Sequence, residues 1–413
     1  MASLDPARAV ADLRTLRELT GDEHGAQRLA WTGTWARARA WLRERLAELP
    51  VEVDTDEAGN LWARLPGASE RTVVIGSHVD SVPDGGWLDG ALGVLGGLEV
   101  MRAIAAEGEP PVTVALVDWA DEEGARFGRS LLGSGLATGA LDPEAVAGDV
   151  DRDGVTLADA LREHGVDVRR APAARARLDA AAAYLELHIE QGPMLERRGL
   201  PVAVVTGTAG VERHVVRVRG QAVQGGAFPM DARRDALVAA ARLVLEVRAA
   251  APDERSRATV GDVRAHPGIP TAVPGACELV VDQRHPDADV LAGMLAAVRR
   301  AGDRIAEEEG VAIEWERTWR IAPVAFDPGL VELAEAAVQA EAGEAPRLFS
   351  GALHDAAAVA QAGVPTVMLF VQSRGGISHH RDEDTAPEHL EAGVRTLARL
   401  AEGAIERASA AGT

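Results

Sequence analysis

Four short stretches of the chain carry side chains suited to holding a metal and moving a proton. They are His78, Asp80 and Asp89; Asp121, Glu122 and Glu123; His188 and Glu190; and His379 and His380. Imidazole together with carboxylate suits zinc, and also manganese, cobalt or nickel. A mononuclear catalytic site needs three protein ligands and an open position. This inventory is larger, which points to two metals sharing a bridging carboxylate. Thiolate clusters are excluded, because Cys277 is the one cysteine. Taken singly, each group has an ordinary explanation. A strand-end His is often just hydrogen-bonded, Glu122 and Glu123 read as a solvated pair, and Asp89 as a helix N-cap. Their joint placement at the ends of successive apolar runs is the stronger signal.

Those runs are the elements that must position the chemistry. Residues 72–75, 112–117, 183–188 and 366–369 read as short buried strands. Polar residues follow each, and active sites of open α/β folds collect at the carboxyl ends of strands. Residues 76–97 read GSHVDSVPDGGWLDGALGVLGG, a loop followed by a small-residue run with helical spacing over 91–106. Helices are expected at 6–19, 25–49, 329–342, 356–362 and 386–408. Trp31, Trp35, Leu42 and Leu46 share one face of the second. Residues 51–53 and 60–65 read as a strand pair, and 140–176 as short helices.

The texture changes near Gly207. VERHVVRVR at 211–219 alternates apolar and charged residues, as a half-exposed strand does. A helix over 231–249, strands over 259–265 and 276–283, a helix over 287–309 and a strand over 311–317 complete a β-α-β-β-α-β order. That order matches a ferredoxin-like α+β insert. The expectation is a discontinuous α/β catalytic domain, residues 1–208 and 323–413, interrupted by an inserted domain, residues 209–322. His214 and His285 read as surface or strand-end residues.

The 413 residues favour two domains, and 47% apolar content is ample for cores. A net charge of −21 argues against nucleic acid or anionic membrane as a partner. Every basic residue is Arg, so a carboxylate substrate is to be captured by local Arg groups. No stretch reads as a signal peptide or a membrane span, and a cytoplasmic location is expected.

Four segments together carry a family resemblance: GSHVDSVPDGGWLDGALGVLGGLEV, DEEGARFGRSLLGS, ELHIEQGPMLE and GISHHRDED. The chain resembles the amidase/hydantoinase/carbamoylase branch of the dinuclear zinc aminoacylase/carboxypeptidase superfamily. That branch includes N-carbamoyl-L-amino-acid hydrolases, allantoate amidohydrolases and β-ureidopropionases. The resemblance implies a zinc-peptidase-like catalytic domain with an inserted lid and dimerisation domain, a homodimer, and two divalent ions, zinc first. It implies that His78, Asp89 and His188 hold one ion, and that Asp89, Glu123 and His379 hold the other. Asp80 would fix the His78 ring, and Glu122 would be the general base. Gln191, Gln224, Thr271, Arg284 and His354 would contact the small-molecule substrate.

The insert departs from the family pattern. GQAVQGGAFPM stands at 220–230 where relatives read GxANHAGTTPM, so Gln224 replaces a His. Gln donates a hydrogen bond but cannot be cationic. Val211 and Thr271 stand where relatives have Gln and Asn. Leu353 replaces a Gly and Gln372 a Pro, whereas Arg284 keeps the carboxylate-binding Arg. One lost oxyanion donor costs roughly a hundred- to a thousand-fold in rate. An altered, bulkier or less polar substrate is therefore expected. The reading is an amidohydrolase of non-peptide C–N bonds in an N-carbamoyl, ureido or N-acyl amino-acid derivative. A small-peptide or N-acyl amino-acid hydrolase with the same ions is the alternative. A metal-retaining binding protein without turnover is the competitor from another class.

Overall fold

The computed structural model describes residue 1 and residues 3–411. The chain divides into two compact units, Met1–Gly207 with Ala325–Thr413, and Thr208–Val324.

The first unit is built on a nine-stranded mixed sheet. Its centre is four parallel strands in the order Thr366–Val371, Ala181–Ile189, Thr72–His78 and Thr113–Trp119. Leu61–Leu65 and then Glu52–Thr55 continue it antiparallel beyond Thr113–Trp119. Val202–Thr208 flanks the other side, antiparallel to Thr366–Val371, with Arg347–Ser350 beside it. In chain order the central four read fourth, third, first, second. The order therefore reverses between Thr72–His78 and Ala181–Ile189, and loops leaving the sheet on either side of such a point open a crevice.

The strands run further than their apolar cores. His78 and His188 lie inside strands, because ladder pairing continues through them, His78 opposite Trp119 and His188 opposite Phe370. The helix Ala91–Ala106 packs against this sheet. Leu92, Val94, Leu95, Leu98 and Val100 are fully buried, each worth roughly 1.5–3 kcal/mol relative to exposure. Glu99 on the same helix is also fully buried. Its carboxylate accepts from Arg8 Nε at 2.7 Å and from Asp5 N at 2.8 Å, so the charge is paired, as burial requires.

Three expectations need correction. The second helix is Gly33–Leu46, not 25–49. Gly25–Ala26 pairs instead with Gly21–Asp22, Trp31 takes φ 60°, and Thr32 caps the helix by accepting from Trp35 N. The helix expected from 231 starts at Ala236, where the Asp235 carboxylate accepts from Leu237 N and Val238 N. The strands Val202–Thr208 and Arg347–Ser350 were not expected from the pattern.

The second unit has one four-stranded antiparallel sheet. Its order is Arg257–His266, Ala276–His285, Gly210–Arg219, Ala312–Ile321. Val216, Val218, Leu279 and Val281 pack with Ala240, Leu243, Val247, Val298 and Ile305 of the helices Ala236–Ala249 and Ala288–Glu309. Alternation sends the intervening residues to the other face. There Arg217 bonds Glu278 at 2.9 Å and Glu316 at 2.6 Å, a ladder of opposite charges. His214 is buried rather than at the surface, edge-on to Trp315.

Candidate metal centre

Asp89 stands between two sets of ligand-type side chains, and its two oxygens face different ones. Oδ1 lies 3.1 Å from His188 Nε2 and 3.8 Å from His78 Nε2. Oδ2 lies 3.3 Å from His379 Nε2, which is 3.4 Å from Glu123 Oε2. In each trio, His78–Asp89–His188 and Asp89–Glu123–His379, the candidate ligand atoms fall within 4.8 Å of one another. A third grouping, Glu186–His188–His354, is as close. Its groups already have protein partners: Glu186 accepts from Ser77, Tyr184 and Ala356, and His354 Nε2 lies 2.7 Å from Ser350 Oγ.

The local backbone explains how loops deliver these groups. Gly90 follows Asp89 with φ 65°, and a Cβ there would fall 2.3 Å from the His78 ring. Only Gly lets the chain turn into its helix against that imidazole. Asp121, Gln191 and His379, all in the loops around the site, have φ of 59°, 56° and 54°. A non-glycine residue in that region costs of order 1–3 kcal/mol, strain that collects at functional sites.

Asp80 organises two groups at once. His78 Nδ1 lies 3.2 Å from its backbone oxygen and 3.6 Å from its carboxylate. The same carboxylate accepts from Glu122 N and Glu123 N, both at 3.2 Å. It therefore orients the ring and also pins the backbone of the acidic pair. Glu122 is 7% exposed, with Oε2 3.8 Å from His78 Nε2.

The electrostatics are those of mutually dependent charges. Burial opposes charge on His78, yet Glu122, Asp80 and Asp89 hold its imidazolium well above the ordinary range. His188 is raised in the same way, burial opposing and Asp89 prevailing. His379 is raised to about 9, chiefly by its hydrogen bond to Asp89. Asp89 is held well below the usual carboxylate range despite burial, by His188 and His379. Burial pushes Glu122 well up against the pull of His78, and burial with Asp89 lifts Glu123 to about 7. Three imidazoles and two carboxylates converge here, with Glu123 Oε1 buried and without a hydrogen-bond partner, and in their neutral-imidazole, ionised-carboxylate forms they make a donor set that fits divalent ions.

The other sequence-derived site residues divide. Gln191 joins the centre, its Nε2 donating to Asp89 Oδ2 at 2.9 Å. His354 is buried, its ring centroid 4.4 Å from that of His188. In the second unit, Gln224 pairs with Ala272, beside Thr271, and its Oε1 accepts from Ala227 N at 2.5 Å. Arg284 Nε donates to Asp282 at 2.8 Å and stands in register opposite Val211. His380 points elsewhere, 3.5 Å from Asp382, which separates the adjacent histidines.

Two contributors escaped the sequence reading. Arg28 is fully buried, donating to Val79 O at 2.6 Å, and the charges of Glu383, Asp80, Asp89 and Glu123 act on it. Glu383, 2% exposed, accepts from the amide of Asp89 itself. Arg28 had no signal. Glu383 sat within the GISHHRDED segment already singled out.

Comparison with known proteins agrees with this geometry. Residues 74–403 match the family model described as Peptidase family M20/M25/M40. An N-carbamoyl-L-amino acid amidohydrolase of Geobacillus stearothermophilus is 37% identical over 380 residues, 90% of this chain and 92% of the relative. An allantoate amidohydrolase of Bacillus subtilis is 33% identical over 382 residues, 91% of this chain and 92% of the relative. The crystal structure of an amidase of the hydantoinase/carbamoylase family from Burkholderia multivorans superposes with a TM-score of 0.89 at 36% identity, covering 98% of each chain. The family's hydrolases are metal-dependent, in keeping with the two trios around Asp89. The chain belongs to peptidase family M20/M25/M40.

Proposed function

We propose that this protein is a dinuclear metal-dependent amidohydrolase. It cleaves a non-peptide C–N bond of an N-carbamoyl, ureido or related N-acyl amino-acid derivative. The observation that carries the reading is Asp89, whose two oxygens each face a separate set of ligand groups beside a buried Glu122. In this reading His78, Asp89 and His188 hold one ion, Asp89, Glu123 and His379 the other, and zinc is the first choice of metal. Relatives named for carbamoyl-amino-acid and allantoate hydrolysis support the reaction class.

Bound divalent ions supply Lewis acidity toward a carbonyl oxygen and toward water. Glu122 takes the proton of the attacking water and returns it to the leaving nitrogen. Its buried position, with Oε2 3.8 Å from His78 Nε2, places it beside the proposed ligands rather than among them. Asp80 keeps Glu122 and the His78 ring in place. Gln191, Gln224, Thr271, Arg284 and His354 are the proposed substrate-binding residues, with Arg284 taking a carboxylate and Gln224 donating where relatives have a cation.

A homodimer is part of the proposal. In the second unit Arg257–His266 is an edge strand with Val263 43% exposed. Beside it the helix Ala236–Ala249 exposes Val238 at 45% and Leu245 at 68%, seven residues apart and so on one face. An open strand edge next to an apolar stripe is what a second copy would cover. Light scattering at micromolar concentration should give twice the chain mass of 43.3 kDa, falling to one in Val238→Glu with Leu245→Glu. A monomeric native protein would refute the pairing.

The activity is tested with metal-stripped protein reloaded with zinc, manganese, cobalt or nickel. The substrates are N-carbamoyl, ureido, N-formyl and N-acyl amino acids and dipeptides, with amine release read by mass spectrometry. Metal-dependent cleavage of a carbamoyl or ureido compound is the expected result. Turnover confined to dipeptides would move the protein to the small-peptide alternative. Silence across the panel with two ions bound would remove the assignment in favour of a binding protein.

A further inference from the structure

We infer that Glu383 is a positioning residue that locks together the two loops carrying Asp89 and His379, and so sets the occupancy of the ion shared by Asp89, Glu123 and His379. The inference rests on the dinuclear reading above.

Three donors converge on this one carboxylate. Oε1 accepts from Leu88 N at 2.9 Å and from Asp89 N at 3.0 Å. Oε2 accepts from Ser378 Oγ at 2.9 Å. Ser378 is the neighbour of His379, and its hydroxyl also lies 2.8 Å from Asp89 Oδ2. A hydroxyl has one proton, so Ser378 serves one carboxylate at a time. Glu383 thus joins the backbone of the bridging ligand to the loop of the last histidine, across 294 residues of sequence.

The join matters because His379 is carried on an exposed loop, where Gln191 and Asp89 also bond Ser378 and Glu196 accepts from Gly375 N. Its side chain is 51% exposed, and the loop around it, Arg374 to Arg381, is mostly exposed. The other ligand groups are anchored by strands or by buried loops. Glu383 by contrast is buried, and the backbone makes room for it: a Cβ on Gly86 would lie 1.9 Å from its carboxyl carbon. The glycine preceding Trp87 therefore serves this carboxylate, not only a turn. Glutamine cannot replace it. An amide has one acceptor atom and would turn its NH2 toward either the two backbone N–H groups or the Ser378 hydroxyl.

The test is a titration of metal-stripped protein with cobalt(II), read by visible absorbance and by calorimetry, on native protein, Glu383→Gln, Ser378→Ala and Gly86→Ala. Thermal melting of the metal-free forms runs in parallel. In Glu383→Gln the first ion should bind as in native protein and the second about 10–100-fold more weakly, the usual cost of a lost supporting partner. Gly86→Ala, which leaves the carboxylate but displaces it, should show the same selective loss. Ser378→Ala should show a smaller one and keeps the test open if Glu383→Gln does not fold. Two ions bound as tightly as in native protein would overturn the inference. So would equal weakening of both ions with a lowered metal-free melting temperature, which marks a general structural role. Native protein that binds no second ion would instead sink the dinuclear reading on which the inference stands.

Discussion

Glu122→Gln should lower turnover by about 10²–10⁴-fold while two ions per chain remain bound. That range is the usual contribution of a general acid–base, and it corresponds to about 3–5 kcal/mol of transition-state stabilisation. The substitution is nearly isosteric, and the backbone bond from residue 122 to Asp80 does not involve the side chain. The change therefore removes the proton acceptor and leaves the ligand sets standing. Glu122 touches His78 only at 3.8 Å, so its loss alters the charge on that ring more than its place. Metal content by mass spectrometry and kcat on the best substrate of the panel decide the matter. Native turnover in a fully loaded variant would remove Glu122 from the mechanism. A binding protein without turnover would lose nothing, so the same variant separates the two classes of function.

Asp89→Ala should empty both ion positions and abolish activity. Every other proposed ligand belongs to one of the two proposed ligand sets, whereas Asp89 belongs to both. Its carboxylate is 3% exposed, with Oδ1 3.1 Å from His188 Nε2 and Oδ2 3.3 Å from His379 Nε2. Without it each proposed ion keeps only two protein ligands of three. The fall in affinity should exceed the roughly 10–100-fold seen when supporting partners are removed. After dialysis the variant should carry less than one ion per chain, against two in native protein. His188→Ala is the contrast: it belongs to one of the two proposed ligand sets, and one ion should remain. Two ions retained in Asp89→Ala would show that the trios are not joined through this carboxylate.

The parts of the structure legible in the sequence share a physical origin. Buried parallel strands are continuous apolar runs, so residues 72–75 and 366–369 announced themselves. Their ends did not, because ladder pairing carries His78 and His188 into the strands whatever their polarity. The helix over 91–106 was read to the residue, since its small and apolar run is bounded by the Gly90 turn. The helix expected from 25 failed because Thr32 stops it seven residues after a glycine that pairs as strand. Arg347–Ser350 was missed because four residues carry little pattern, whereas the buried run of Val202–Thr208 was present in the sequence and was overlooked.

By itself the sequence determined which groups are present and in what local setting: four imidazoles and several carboxylates placed after apolar runs, one cysteine, no lysine, and a charge far from neutral. Together with the motifs, that was enough for the family and the reaction class, because ligand chemistry depends on residue type and short spacing. Tertiary structure alone decided the rest. It showed that the two oxygens of Asp89 face opposite trios, and that His379 rather than His380 turns inward. It also showed that Glu383 reaches back to the amide of Asp89. The reason is distance along the chain. Residues 89 and 383 lie 294 apart in the chain, and their loops are brought together by the pairing of strands distant in sequence. No local propensity or periodicity records where such loops will meet.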